Sequence, residues 1–292
     1  MISYVEKLWR GGAGMDLNWL TGVLFGLISG VTEILPVSSP AHRILMLKLF
    51  GLSSEPELLQ LMIDLGITAA LYYSCQNHII RIVRAKRLSR VPKRHRKRPL
   101  DTTSLNDLSL LKTMLIPAIL SFFLYEKAQS LGGSMLLVAV FLLLNGIILY
   151  LPQFFPGANR DSRTMSRFQG LLIGLGSSVS IIPGFSSVGG AFSVASVCGV
   201  DRSYGLNMVL MLDLFVCAGL VVFDVLGLVS AGLGGIGFGT FLAYLLSGIA
   251  AFLGAAATIK LLRSVINEIS FVIFSLYCWG VALFTFIMNL LA

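Results

Sequence analysis

Charge is scarce in this chain. Only 12% of its 292 residues are Asp, Glu, Lys or Arg, against roughly 25% in an ordinary soluble domain. Hydrophobic residues make up 56%, and the mean hydropathy is +0.86. That shortage excludes a soluble globular domain and points to an integral membrane protein. Cysteine is sparse as well. Cys75, Cys198, Cys217 and Cys278 all fall in apolar segments without paired spacing. This excludes a disulfide framework or a Cys-rich zinc site, and the four read as small packing residues. A cleaved leader is not expected either, because Met1–Met15 is polar and glycine-rich with no apolar centre.

What the chain does have is long apolar runs, at about 17–37, 58–77, 107–125, 133–152, 168–198, 205–231, 238–262 and 269–292. Several reach the ~20 residues that span a bilayer as a helix. Open sheets leave unpaired edges in lipid, so the expected architecture is an all-α bundle. The whole of 1–292 reads as a single membrane domain. Its net charge of +8 is concentrated: Arg81, Arg84, Lys86, Arg87, Arg90, Lys93, Arg94, Arg96, Lys97 and Arg98 are ten of the 22 basic residues. This predicts a basic cytoplasmic loop over 78–106, with anionic lipid head groups as a further partner. Nucleic acid is not expected, because the run lies between two membrane segments. Arg160, Arg163 and Arg167 form a second basic loop. Two spans separate the loops, so both can face the cytoplasm. Lys260 and Arg263 mark a helix end at the cytoplasm or the membrane interface.

Two short segments repeat each other half a chain apart. Ile34-Leu35-Pro36-Val37-Ser38-Ser39 and Ile181-Ile182-Pro183-Gly184-Phe185-Ser186-Ser187 both interrupt an apolar run, with prolines at 36 and 183. Paired interruptions in matching halves point to a site near the bilayer midplane. Gly22, Gly26 and Gly30 precede the first break at intervals of four, a spacing that lets helices approach closely in lipid. Too few apolar residues follow Arg43 for another full span. The expected solution is a re-entrant hairpin at each break, tolerated only where irregular backbone lines a cavity. The halves then fall at about 17–152 and 168–292.

Charged groups within a membrane mark pathways or sites, and the candidates are Glu33, His42, Arg43, Asp64 and Asp213. A His near a Ser can serve as its general base. A carboxylate can hold Mg²⁺ or Ca²⁺, which favour oxygen ligands. Free amides at helix breaks can bind phosphate, which brings in Ser38, Gly184, Ser186 and Ser187. Together these groups suit phosphoryl transfer from a lipid diphosphate. Asp64 reads either as a metal ligand beside Glu33 or as a partner for Arg43. Arg43 reads as a cavity cation or as a snorkelling helix-end residue, and Asp213 as a buried helix-packing partner.

The run Gly30-Val31-Thr32-Glu33-Ile34-Leu35-Pro36-Val37-Ser38-Ser39-Pro40-Ala41-His42 resembles the first signature of the bacterial undecaprenyl-diphosphate phosphatase (bacitracin-resistance) family, E/Q-G-x-T-E-F-L-P-V/I-S-S-x-G-H. Pro183-Gly184-Phe185-Ser186-Ser187-Val188-Gly189 is similar to its second signature, P-G-x-S-R-S-G. Phe274-Ser275-Leu276-Tyr277-Cys278-Trp279-Gly280 is similar to a late F-x-x-Y-R-x-x-x-G stretch. The resemblance runs from about residue 17 to the C-terminus. It implies six transmembrane helices plus two re-entrant helix pairs in inverted repeats, as a multi-pass protein of the bacterial cytoplasmic membrane. It implies hydrolysis of undecaprenyl diphosphate to the monophosphate with Mg²⁺ or Ca²⁺, which recycles the lipid carrier of cell-wall synthesis and underlies bacitracin resistance. By motif position Ser39 matches the nucleophile, His42 its proton-transfer partner, Glu33 the second glutamate and Ser186 a phosphate contact.

The chain departs from the pattern at several positions. Ser29 stands at the first acidic or amide position, Ala41 at the glycine before the histidine, Ser187 at the signature arginine, Val188 at the following serine, and Cys278 at the late arginine. Arg43 follows His42 and is the candidate replacement cation. An alternative reading keeps the architecture without hydrolysis, as a carrier of polyprenyl phosphate or a similar anionic lipid between leaflets. A homodimer is left open.

Overall fold

The computed structural model describes residues 19–52, 55–96, 98–155, 159–231 and 237–291. Met1–Met15, and Lys97 of the basic run, lie outside them. Among the described residues the α-helices are α1 (Trp19–Ile34), α2 (Ser39–Leu49), α3 (Glu57–Ser89), α4 (Thr102–Phe122), α5 (Tyr125–Gln129), α6 (Met135–Tyr150), α7 (Arg167–Ser178), α8 (Ser187–Val197), α9 (Arg202–Ala231), α10 (Phe238–Val265) and α11 (Val272–Leu291). No strand is formed among these residues; the sole β-type pairings are two isolated bridges. Among the described residues, six helical segments are long and apolar enough to cross a membrane: α3, α4, α6 with its 3₁₀ extension to Phe154, α9, α10 and α11. The outward faces of these helices carry residues such as Tyr73, Ile119, Leu253 and Leu283 at more than half exposure, as a lipid-facing surface does.

The apolar run expected at 58–77 belongs to a longer helix than its hydropathy indicates. α3 continues through 33 residues, roughly 50 Å at 1.5 Å per residue. It therefore carries the start of the basic segment as helix, and the connecting loop proper is 90–101. Lys and Arg are good helix formers, and Lys86 and Arg87 in the last turn face the negative helix end. Asp101 caps the next helix by accepting from the Ser104 N–H at 3.0 Å. Those bonds to its charged form hold the Asp101 carboxyl below its usual range. Arg163 of the second basic loop donates to Thr103 at 3.3 Å, so the two basic segments meet at one end of the bundle.

The two breaks divide the apolar runs as Pro36 and Pro183 predict. α1 and α2 form one short pair, and α7 and α8 the other. Each short entering helix lies against a long helix of the other half, α1 on α10 and α7 on α4. The glycine spacing explains how closely. A Cβ on Gly26 would sit 2.0 Å from the Ser247 carbonyl oxygen, and one on Gly30 2.2 Å from that of Ala251. Gly174 has the matching role, 2.1 Å from the Met114 carbonyl oxygen. Gly30→Val is therefore expected to destabilise the fold by about 1–3 kcal/mol through overpacking. Gly227→Val, with nothing within 4 Å of its Cβ position, is the control. Thermal melts in detergent check this, and equal midpoints for the two variants would count against the packing argument.

Candidate active site

The two interruptions meet in the middle of the molecule. Ser38 has φ 69°, the single non-glycine positive φ among the described residues, and such strain at a buried position costs on the order of 1 kcal/mol unless the surroundings hold it. They do. The Ser38 hydroxyl accepts from the Ala41 N–H at 3.4 Å and from the Gly184 N–H at 3.1 Å, across the two halves. Gly184 has φ 120°, and a Cβ there would lie 2.4 Å from the Cβ of Phe141, so both backbone and space call for glycine. Asn145 of α6 bridges the same two turns. Its Oδ1 accepts from the Ser186 N–H at 3.1 Å, and its Nδ2 donates to the Pro36 carbonyl at 3.4 Å. The Ser186 hydroxyl donates to the Leu35 carbonyl at 3.5 Å. Carbonyls exposed by the breaks thus find side-chain donors, as buried backbone must.

Beside this junction lies a cavity of about 340 Å³. Glu33, Ser39 and Arg43 line it from the first half, and Ser186 and Ser187 from the second. Ser39 opens α2, and Ser186 caps α8 by accepting from the Gly189 N–H at 3.1 Å. Two helix N-termini therefore border one cavity. The Ser39 hydroxyl lies beside the Glu33 carboxylate and donates only weakly to the Ser29 carbonyl, at 3.4 Å. Arg43 bonds Asp64 and stands 3.7 Å from Glu55. Of the two readings of Asp64, the structure favours the Arg43 partner. Three lining carboxylates, Glu33, Glu55 and Asp64, face this one guanidinium, so the cavity is formally acidic.

The expected residues divide into two sets. Glu33, Ser39, Arg43, Asp64, Ser186 and Ser187 line the cavity. Ser38, Gly184 and His42 do not; they build its wall. His42 Nδ1–H donates to the Ser38 carbonyl at 2.7 Å, and Nε2 accepts from the Tyr277 hydroxyl at 2.9 Å, with the rings stacked. Ser187 shares a 2.8 Å hydrogen bond with Ser177. Glu55 and Gln60 also line the cavity, and Asn145 braces its turns, though none of the three stands out in the sequence motifs. A lone Asn within an apolar helix was the available signal for the last. Nor do the motifs indicate the grouping of Glu33 with Asp213 and Cys217, whose ligand atoms lie within 4.8 Å of one another.

Residues 22–284 match the sequence profile of the family described as Bacitracin resistance protein BacA. The chain belongs to the BacA family. It is 28% identical over 277 residues to a Methanobrevibacter smithii protein named Undecaprenyl-diphosphatase, covering 93% of this chain and 97% of that one. Proteins of the same name from Halothermothrix orenii and Alkaliphilus metalliredigens are 25% and 26% identical, over 91% and 92% of this chain and 96% and 98% of their own. The BacA match spans both interruptions, five of the six long apolar helices and the first part of α11, so the cavity between the turns lies wholly inside the family region.

Proposed function

We propose that this chain removes the terminal phosphate of a polyprenyl diphosphate, undecaprenyl diphosphate by resemblance, and so recycles a lipid carrier of cell-wall synthesis at the bacterial cytoplasmic membrane. The observation that carries this reading is the cavity itself. It combines a hydroxyl beside a carboxylate, an arginine, and two helix N-termini brought together from the two halves. The full-length relatives named for this activity support it. They lend no support to the transporter alternative. The reciprocal docking of α1 on α10 and α7 on α4 supports two re-entrant hairpins related as inverted repeats.

In this reading Ser39 Oγ attacks the terminal phosphorus. The bond from that phosphorus to the bridging oxygen breaks, and the polyprenyl monophosphate leaves as an anion. Glu33, the group beside Ser39, takes the hydroxyl proton. Water then attacks the phosphoserine. Inorganic phosphate leaves, and Glu33 returns the proton to Ser39. Arg43 balances charge on the transferring group, while Asp64 and Glu55 hold its guanidinium in place. His42 acts as a positioning residue: it braces the Ser38 turn instead of touching Ser39. An acidic cavity admits a diphosphate only with added positive charge. The orphaned carboxylate of Asp213 beside Glu33 fits a bound cation, and a divalent ion, Mg²⁺ or Ca²⁺ on the family expectation, supplies that charge when bound.

Acid quenching during turnover of terminally radiolabelled undecaprenyl diphosphate tests the route. Label is expected on the wild-type protein and not on Ser39→Ala. Turnover with no label on the protein would remove Ser39 as nucleophile.

A further inference from the structure

We infer that the loop after α3 binds the phosphate head group of an anionic phospholipid from the cytoplasmic leaflet. The loop carries a groove of about 400 Å³, lined by Lys93, Arg96, Arg98, Pro99 and Leu100. Three cations beside an apolar Pro-Leu step complement a phosphate that continues into hydrocarbon, and guanidinium forks suit phosphate oxygens. The Arg96 guanidinium is built into the loop. Its Nε donates to the Val91 carbonyl at 2.8 Å and its Nη2 to the Ser89 carbonyl at 3.2 Å. It is thereby fixed at the tip of α3, with Nη1 left for a ligand. Among the described residues no carboxylate pairs with these three cations: the ion pairs are those of Arg43 with Asp64 and Glu55, and of His78 with Asp107. Asp101, just past Leu100, is engaged in capping α4, where it accepts from the Ser104 N–H and hydroxyl. A charge excess that only orients a protein in the membrane needs number and side. It calls for neither a tethered guanidinium nor a groove.

The level of the groove fits the head-group layer. The His78–Asp107 pair, 2.9 Å apart, sets α3 beside α4. At 1.5 Å per residue α3 extends ~16 Å past that pair to Ser89, whereas α4 begins at Thr102, ~8 Å past it. The last large apolar residue exposed on α3 is Val83, also ~8 Å past the pair, so the lipid-facing surface ends level with the start of α4. Residues 90–101 therefore descend from the tip of α3 to the edge of the hydrocarbon, a drop of ~8 Å. One polar head-group layer is roughly 5–8 Å thick. Arg96 stands at the upper end of that drop, and Pro99 and Leu100 at the lower. The cytoplasmic leaflet is the anionic one, and its surface potential attracts basic segments that flank a membrane helix. The active-site cavity lies at the opposite ends of the same two helices, with Glu55 and Gln60 near the start of α3 and Phe122 at the end of α4. The lipid site is thus separate from the proposed hydrolysis.

The test uses the full chain in detergent, freed of lipid and titrated with phosphatidylglycerol or with phosphatidylcholine of the same acyl chains. Native mass spectrometry counts the bound lipid. The wild type should retain phosphatidylglycerol and release phosphatidylcholine. Lys93→Gln with Arg98→Gln keeps the Arg96 tether. This pair should weaken phosphatidylglycerol binding about fivefold per cation, ~25-fold together, at an unchanged melting temperature. Arg167→Gln with Lys260→Gln removes the same charge from exposed positions on two other helices, and should bind the lipid like the wild type. Equal affinity of the wild type for the two lipids would overturn the assignment, as would equal loss in the two double variants. Displacement of phosphatidylglycerol by millimolar inorganic phosphate would also overturn it, and would make the groove a site for free phosphate. Because the groove is a full span from the cavity, none of these outcomes bears on the phosphatase reading.

Discussion

Ser39→Ala is expected to leave the chain folded and to lower phosphate release from a polyprenyl diphosphate by at least ~10³-fold. The two halves of that expectation come from different observations. Stability survives because the Ser39 hydroxyl makes only the 3.4 Å bond to the Ser29 carbonyl and its contact with Glu33. A single net hydrogen bond contributes about 1 kcal/mol. The cap of α2 is Ser38, not Ser39, so the helix start is untouched. Activity falls because Ser39 is the hydroxyl at the mouth of α2 with a carboxylate beside it to take its proton. Ser38→Ala supplies the contrast. It removes the acceptor of both the Ala41 and Gly184 N–H groups from a fully buried position, and its main effect should be a lower melting temperature. Steady-state phosphate release together with thermal melts in one detergent reads both effects. Equal loss of stability in the two variants would contradict the division between wall and lining.

Arg43→Ala carries the second large effect, and it acts on both stability and rate. The guanidinium is buried between Asp64 and Glu55. Its removal leaves two lining carboxylates facing one another without a counter-ion. Breaking a buried pair by deleting one partner typically costs about 3–5 kcal/mol. An arginine on a transferring phosphoryl group adds ~10³-fold or more in rate. The double change Arg43→Ala with Asp64→Asn separates the two effects. Neutralising Asp64 should restore much of the melting temperature and none of the phosphate release. Recovery of both would mean that Arg43 is a structural ion-pair residue alone. Arg43→Lys should keep the charge but lose the fork geometry, and fall between wild type and alanine in rate.

Local signals carried much of the architecture. Pro36 and Pro183 broke their runs where they stand, and glycines four apart on one helix reported a close packing partner, because sterics and missing donors act through the backbone at short range. The reach of α3 was not legible from hydropathy, since its last turns are basic residues that are also strong helix formers. Within the site, Glu33, Ser39 and Arg43 were readable because they cluster around one break. The partners that define their chemistry were not. Asp213 meets Glu33 across 180 positions, and Asn145 meets Pro36 across 109. Those meetings depend on how α6 and α9 pack against the first turn, which no spacing within either segment encodes. His42 shows the converse case. Its place in the motif suggested a base for Ser39, whereas the fold turns its ring to the Ser38 carbonyl and Tyr277.

The most direct test of the central claim is phosphate release from undecaprenyl diphosphate by the purified full-length chain, measured before and after chelation. Release should stop with the chelator and return when a divalent ion is restored. A folded protein that binds the lipid but releases no phosphate with Mg²⁺ or Ca²⁺ supplied would contradict that claim.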